Sequence, residues 1–366
     1  MDNLFICKTP YQLIVIIQLV LTKFKHENNT VLISDNIANY EKLYENVKKT
    51  KVFSKVIKFS LKKTYGNKSK IFFLGEGIKY KLNIQTNNAW NALGKQDKLF
   101  ICNMGNEESI VYNELKKKNP FIKTYMFEDG FASYSLAYGT FFNKITNKKG
   151  MKDRLLYPYR KLIYEVFFSI DGFYAFSPQL YAWTPPAPVL EIEKIDPKDK
   201  ERINIFNLVF GVKKIEEGYK KNFIFFEESY FADGINIADK ECIYRILKDV
   251  PKEDIFIKIH PRNPINRFKE LGFETNINTE IPWEIIALNI NIENKVLITI
   301  ASGSALTSLI NTKTTPKKVI MLMNCDEFSD ENLTPTLPTL RMIAEEYPEL
   351  VRLPKSMEEL SDILKD

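Results

Sequence analysis

Two series of short apolar runs, each run followed by a stretch of helical character, constrain the fold of this chain more than any other feature. In the first series NLFICKT (3–9), TVLISD, VFSKVIKFS, KLFICN (98–103) and IKTYMFEDG read as strands. YQLIVIIQLVLTKF, NYEKLYENVKKT and EESIVYNELKKKN read as helices between them, and helical sequence runs through the seventies and eighties. In the second series NFIFFEES (222–229), DIFIKIHPR (254–262), KVLITIAS (295–302) and KKVIMLMN (317–324) are the strands. Helices are predicted over NIADKECIYRILKDV (236–250), IPWEIIAL, SALTSLI and SMEELSDILKD. Strands that are apolar along their whole length need cover on both faces. Helices between them supply it, and the sheets are then parallel.

The proline cluster WTPPAPVLEIEKIDPKD separates the two series. The spacing predicts an α/β protein of two Rossmann-like domains, residues 1–177 and 201–366, joined by a proline-rich linker at 178–200. The last helix is free to pack back on the first domain. A chain of 366 residues has room for two cores. In open parallel sheets, ligands bind at the carboxyl ends of the strands. Two such faces across a central cleft make the GT-B layout of many glycosyltransferases, shared with some epimerases and binding proteins.

Four cysteines, Cys7, Cys102, Cys242 and Cys325, lie far apart without zinc spacing, and there are two histidines. That pattern argues against a structural metal and suits a reducing cytoplasm. The apolar run Leu13 to Leu21 is too short to span a bilayer and is interrupted by Gln18. It also lacks the basic flank and cleavage site of a signal peptide, so it reads as a buried helix. Seven Lys or Arg against one Asp fall in 143–161. This segment is either a solvated surface or, because aromatic and basic residues interleave in LLYPYRKLIY, a peripheral contact with anionic lipid at the inner face of the membrane. The net charge of +6 is modest and no nucleic-acid module is present, so nucleic acid is not expected as a partner. A homodimer stays open, because a proline-rich connector permits domain exchange.

Four polar features fall at predicted strand ends. Thr9-Pro10-Tyr11-Gln12 follows the first strand and reads as a helix start capped by Thr9 or as a functional loop. Glu128-Asp129-Gly130 reads as an acidic turn or as a site for a catalytic base. His260-Pro261-Arg262 closes an apolar strand, and with His26 in a polar stretch, His260 is the histidine left for chemistry. Ala301–Leu306, ASGSAL, is a serine-capped helix start or a phosphate site at a helix N-terminus. No D-x-D, Walker A or G-x-G-x-x-G pattern occurs.

The order of the acidic pair with glycine, then His-Pro, then a serine motif resembles the signature of bacterial sialyltransferases. The start FICKTPYQL and the length resemble glycosyltransferase family 52, which includes lipooligosaccharide and capsular enzymes. The resemblance implies an inverting transfer of sialic acid from CMP-sialic acid, without a metal cofactor, to a terminal galactose, with α-2,3 linkage. It implies Asp129 as general base, with Glu128 and Gly130 positioning it. His260, with Pro261, would meet the phosphate; Ser302, Gly303 and Ser304 would bind it; Glu284 would hold the ribose. Thr9, Pro10, Tyr11 and Gln12 would face acceptor or sugar, and the loop bearing Glu228 would approach the donor. Transfer from another nucleotide sugar and a non-catalytic glycan-binding role are the alternatives.

Overall fold

The computed structural model describes residues 1–84, 90, 93–234, 239–325, 328 and 334–365. Among these, strands β1 (Asp2–Cys7), β2 (Asn28–Ser34), β3 (Lys55–Phe59), β4 (Lys98–Ile101), β5 (Lys123–Phe127), β6 (Gly172–Ala175) and β7 (Val189–Glu191) form one sheet in the order β3-β2-β1-β4-β5-β6-β7. Strands β8 (Phe223–Phe226), β9 (Ile255–Lys258), β10 (Glu274–Thr275), β11 (Val296–Thr299), β12 (Lys318–Met321) and β13 (Val351–Arg352) form a second, ordered β10-β9-β8-β11-β12-β13. Every pairing is parallel. In each sheet the chain runs outward from its first strand and then returns to that strand's other side. The reversal lies between β1 and β4 in one sheet and between β8 and β11 in the other, and such switch points open crevices at the strand ends.

The chain divides into two compact units, 1–129 with 137–193, and 130–136 with 194–366. In the first, the pleat sends alternate residues to opposite faces. Leu4, Ile6, Leu99, Ile101, Met126 and Phe173 enter one core cluster. Phe5, Phe100, Tyr125 and Tyr174 line the other face, with Phe5 and Phe100 stacked at 4.3 Å. The second unit has its own core around Phe225, Ile257, Ile298 and Ile320.

The helix Pro10–Thr22 accounts for the apolar run near the start of the chain. Gln12 through Val20 are all buried, and the Gln18 amide donates to the Glu193 carbonyl at 2.7 Å. Among the described residues, no helix is long and apolar enough to cross a membrane.

Several elements differ from the sequence reading. The stretch 178–200, expected as a linker, holds β7, which extends the first sheet beside β6. Pro188 fits there because an edge strand needs only its carbonyl, which accepts from Phe173 N–H at 2.9 Å. The unit boundary falls after Glu193. The last helix, Met357–Lys365, packs within the second unit: Leu360 enters that core, and Ser361 Oγ donates to Asp249 Oδ1 at 2.9 Å. Strands β6, β7, β10 and β13 span two to four residues each and take their register from neighbours, so no periodicity announces them. Parts of two predicted helical stretches, 85–89 and 236–238, lie outside the described residues.

The basic segment forms the end of the helix Leu136–Thr146 and most of the helix Met151–Ile163. Arg160 is not part of a free surface charge. Its guanidinium donates to the carbonyls of Lys144, Asn147 and Asp153 and to the Asp153 carboxylate.

Candidate functional site

In the first unit, the carboxyl ends of β1, β4 and β5 bring Thr9, Asn103 and Asp129 together. Thr9 Oγ1 donates to Asp129 Oδ1 at 3.4 Å, and Asn103 Nδ2 donates to Asp129 Oδ2 at 3.0 Å. Behind them the fully buried Gln12 donates from Nε2 to Asn103 Oδ1 at 2.7 Å and accepts Lys8 N–H at 2.8 Å. Gln12 N–H closes the helix start onto Thr9 Oγ1 at 3.1 Å. Thr9 is therefore both the N-cap and a partner of Asp129, so the two readings of that tetrad hold at once. Burial raises the Asp129 carboxyl above its ordinary value; hydrogen bonds from Asn103, Gln12 and Thr9 and the charge of Lys8 oppose the rise. A carboxylate held this way is a stronger proton acceptor than a solvated one.

Glu128 points the other way. It is buried, its Oε1 accepts from the Tyr11 hydroxyl, and its Oε2 accepts Phe176 N–H at 2.8 Å. These bonds lock the end of β5 to the first helix and to the strand end of β6. Gly130 takes the left-handed region, φ 68°, where a side chain would be strained. Pro10 occupies the first helical turn.

Beside this group lies an ion cluster that the sequence did not suggest. Lys8 is buried and bonds Glu107 at 2.6 Å and also Glu108. Burial opposes the Lys8 charge, but Glu108 and Glu107 outweigh it and hold the ammonium above its ordinary value. Glu108 is raised to about 7 by burial, with Lys8 pulling the other way. Gly105 permits the cluster: a Cβ there would stand 2.5 Å from Glu108 Oε2 and 2.6 Å from Glu107 Oε2.

In the second unit the equivalent switch point carries Glu228. This buried carboxylate accepts from Thr299 Oγ1 at 2.6 Å and from Ala301 N–H at 2.9 Å through the same oxygen, Oε1. Thr299 Oγ1 in turn accepts Ser302 N–H at 2.9 Å. Asn263 Nδ2 holds the Glu228 carbonyl at 2.8 Å. Glu228 thus spans β8 and β11 and sets the serine loop. Burial raises it to about 7.

The serine loop opens the helix Ser304–Asn311, whose N-cap is Gly303; no side chain among the described residues caps it. Ala305 N–H and Leu306 N–H bond back to Ser302 and Gly303 carbonyls, so Gly303 and Ser304 supply the N–H groups of the helix start. Ser302 and Ser304 are half-buried, and Gly303 lies against Phe131 of the 130–136 segment.

His260 stands two residues beyond β9. Its N–H donates to Glu227 Oε2 at 3.0 Å, and its Nδ1 accepts Arg262 N–H at 3.2 Å. With Nδ1 as acceptor, the neutral ring carries its proton on Nε2. Burial, then the charges of Arg262 and Lys258, lower its pKa to about 4, so the ring is neutral near pH 7. Glu227 is fixed by Arg267, which also bonds Asp239. Pro261 is exposed. Glu284 is buried in the helix Trp283–Ala287; burial raises its carboxyl, while its own backbone N–H, the Thr307 side chain and Lys258 oppose the rise.

The alpha-2,8-polysialyltransferase family model matches residues 3–315. The chain belongs to this family. No curated protein matches. Among solved structures, a UDP-N-acetylglucosamine 2-epimerase aligns over 100% of this chain and 86% of its own, with 11% identity and a TM-score of 0.50. LpCGTa in complex with UDP aligns over 100% and 90%, with 8% identity and a TM-score of 0.50. These likenesses bear on the fold alone, which is of the GT-B type, with two parallel-sheet α/β units.

For this member of the alpha-2,8-polysialyltransferase family, the match agrees with the sequence resemblance on sialyl transfer, a glycosyltransferase activity with a nucleotide-sugar donor and a glycan acceptor. Within the first unit the structure joins Thr9, Gln12 and Asp129, and separately Tyr11 and Glu128. Within the second it joins Glu228 to the serine loop and leaves Glu284 beside Thr307. Sequence reasoning passed over Asn103, Lys8, Glu107, Glu108 and Thr299. Asn103 had a signal, as the polar residue ending an apolar run; Thr299 had none, being one threonine inside a strand.

Proposed function

We propose that this protein is an inverting, metal-independent sialyltransferase that moves sialic acid from CMP-sialic acid to a terminal galactose of a bacterial surface glycan through an α-2,3 linkage. It works in the cytoplasm, with peripheral contact at an anionic membrane. Asp129 takes the proton of the acceptor hydroxyl as that oxygen attacks the anomeric carbon. The bond from that carbon to the phosphate oxygen breaks, and CMP leaves with the electron pair. His260 Nε2–H, the hydroxyls of Ser302 and Ser304, and the N–H groups of Gly303 and Ser304 stabilise the phosphate. Because burial keeps the imidazole neutral, His260 acts as a hydrogen-bond donor and not as an acid. Glu284 holds the ribose.

The observation that supports this reading most is the Asp129 carboxylate, half-buried, raised and aimed by Thr9 and Asn103 at the ends of three strands. A second reading rests on the family match: the acceptor is itself a sialic acid, joined by an α-2,8 linkage. An assay with CMP-sialic acid in EDTA, with lactose and with a sialylated acceptor, followed by linkage analysis, tests both. Turnover with a UDP-sugar and none with CMP-sialic acid overturns the donor assignment, and loss of turnover in EDTA overturns metal independence.

A further inference from the structure

The polar side chains around Asp129 can each face two ways, since an amide presents either an oxygen or an NH₂ group and a hydroxyl either donates or accepts. Backbone groups that can only donate remove that choice. Gln12, fully buried, takes Lys8 N–H on Oε1 at 2.8 Å. Its Nε2 is therefore the end turned to Asn103, where it donates to Oδ1 at 2.7 Å. Asn103 is then held with Nδ2 toward Asp129 Oδ2, at 3.0 Å. Thr9 obeys the same rule: Oγ1 accepts Gln12 N–H at 3.1 Å, which leaves the hydroxyl proton for Asp129 Oδ1 at 3.4 Å. Both arms start on a backbone N–H, of Lys8 or Gln12, and end as donors on different oxygens of one carboxylate.

This frame fits the anion, because Asn103 turned this way offers no lone pair to a protonated acid. Asn103 and Gln12 both oppose the rise that burial imposes on Asp129, and so does the charge of Lys8. The other titratable groups that act on Asp129 among the described residues are Cys7, Cys102 and Tyr138, which burial raises and so keeps neutral near pH 7. Glu108 bonds Lys8, and Glu128 turns away onto Tyr11 and Phe176.

We propose that Gln12 is a positioning residue for the proton acceptor: it sets the direction of the Asn103 amide and so keeps Asp129 an acceptor of hydrogen bonds. Being fully buried, it acts from behind Asn103. The proposal rests on Asp129 as the base of the sialyl-transfer reading, but its test needs neither donor nor acceptor. Aspartate labelled with carbon-13 at the carboxyl reports the Asp129 titration by NMR in the full chain, its signal being the one lost in Asp129→Asn. Gln12→Met keeps the length of the side chain and removes its polar ends. It should raise the Asp129 pKa by at least about one pH unit and carry the acid limb of kcat/KM to higher pH with it. Asn103→Ala should give an equal or smaller rise. The double variant should add little to Gln12→Met, because Asn103 without Gln12 has already lost its direction. A role in packing alone would lower the melting temperature and leave this titration in place. An Asp129 titration unmoved by Gln12→Met overturns the proposal, as do single-variant shifts that simply add. If Gln12→Met does not fold, the unaltered protein decides: the side-chain amide nitrogen signals of Asn103 and Gln12 should both follow the Asp129 titration, and a Gln12 signal that ignores it overturns the proposal. Full turnover in Asp129→Asn would remove the base assignment and leave these titrations standing, so the two readings fail separately.

Discussion

Asn103 Nδ2 donates to Asp129 Oδ2 at 3.0 Å, joining the ends of β4 and β5 beside the first sheet's switch point. That bond favours the ionised carboxylate, while burial favours the neutral acid, and burial prevails. The working base needs the ionised form, so activity should fall as pH drops through a limb above the ordinary carboxylate range. Asn103→Ala removes a bond to the charged form and should move that limb in kcat/KM to higher pH. Asp129→Asn should lower kcat by at least about a hundredfold while CMP-sialic acid still binds. Near-full activity in Asp129→Asn would remove the base assignment.

His260 uses Nδ1 to accept from Arg262 N–H, which leaves Nε2 as the donor. Gln places an amide nitrogen near the Nε2 position. His260→Gln should therefore keep a substantial part of the activity that His260→Ala loses, a loss on the order of a hundredfold for one donor to developing charge. Equal loss in both variants would argue for proton transfer by the ring. The low pKa, about 4, also bears on stability. The unfolded chain binds this proton below its ordinary value near 6.5 and the native state does not until about 4. The contribution of His260 to stability is thus lost as pH falls through that window, and His260→Gln should flatten it.

Glu228 reads in the opposite sense. Its pKa of about 7 means that the native state keeps a proton which the unfolded chain releases near 4.5. Stability should decline as pH rises from 4.5 towards 7, and Glu228→Gln should remove that slope. Glu228→Ala leaves the Thr299 hydroxyl and Ala301 N–H without their acceptor and should cost about 1–3 kcal/mol. If Glu228 positions the serine loop and does not touch the donor, Glu228→Gln should leave the KM for CMP-sialic acid within about threefold of its original value. A larger change points to direct contact.

Lys8 and Glu108 are buried and Glu107 is half-buried, and removing the lysine strands the two carboxylates. Lys8→Met should destabilise the protein by about 3–5 kcal/mol, read by denaturant unfolding. The double change Lys8→Met with Glu108→Gln should recover part of that loss, because it also removes a buried negative charge. An unchanged midpoint for Lys8→Met would show that the cluster is solvated.

The helix Met151–Ile163 exposes Met151, Leu155, Leu156 and Tyr159 beside Lys152 and Arg154. Vesicles containing an anionic phospholipid should retain the protein in sedimentation at low salt, and neutral vesicles should not. Leu155→Glu should reduce retention without changing the melting temperature. Equal sedimentation with both vesicle types would rule out the electrostatic contribution.

Much of this molecule was written in local pattern. Apolar runs alternating with helical stretches determined two parallel α/β units, because a strand apolar on both faces has no other stable surroundings. The placement of Asp129, His260 and the serine motif at strand ends followed from the same pattern. What pattern could not carry was the lateral order of the strands and the partners it creates. Asn103 meets Asp129 because β4 lies next to β5, and Thr299 meets Glu228 because β11 lies next to β8. Lys8 finds Glu107 and Glu108 about a hundred residues along the chain. Short edge strands such as β7 and β13 owe their existence to a neighbour's hydrogen bonds, so only the assembled sheet decides them. The acidic triplet shows both sides of the division. Its position at a strand end was legible, but only packing turned Glu128 inward onto Tyr11 and Phe176 and held Asp129 against Thr9 and Asn103.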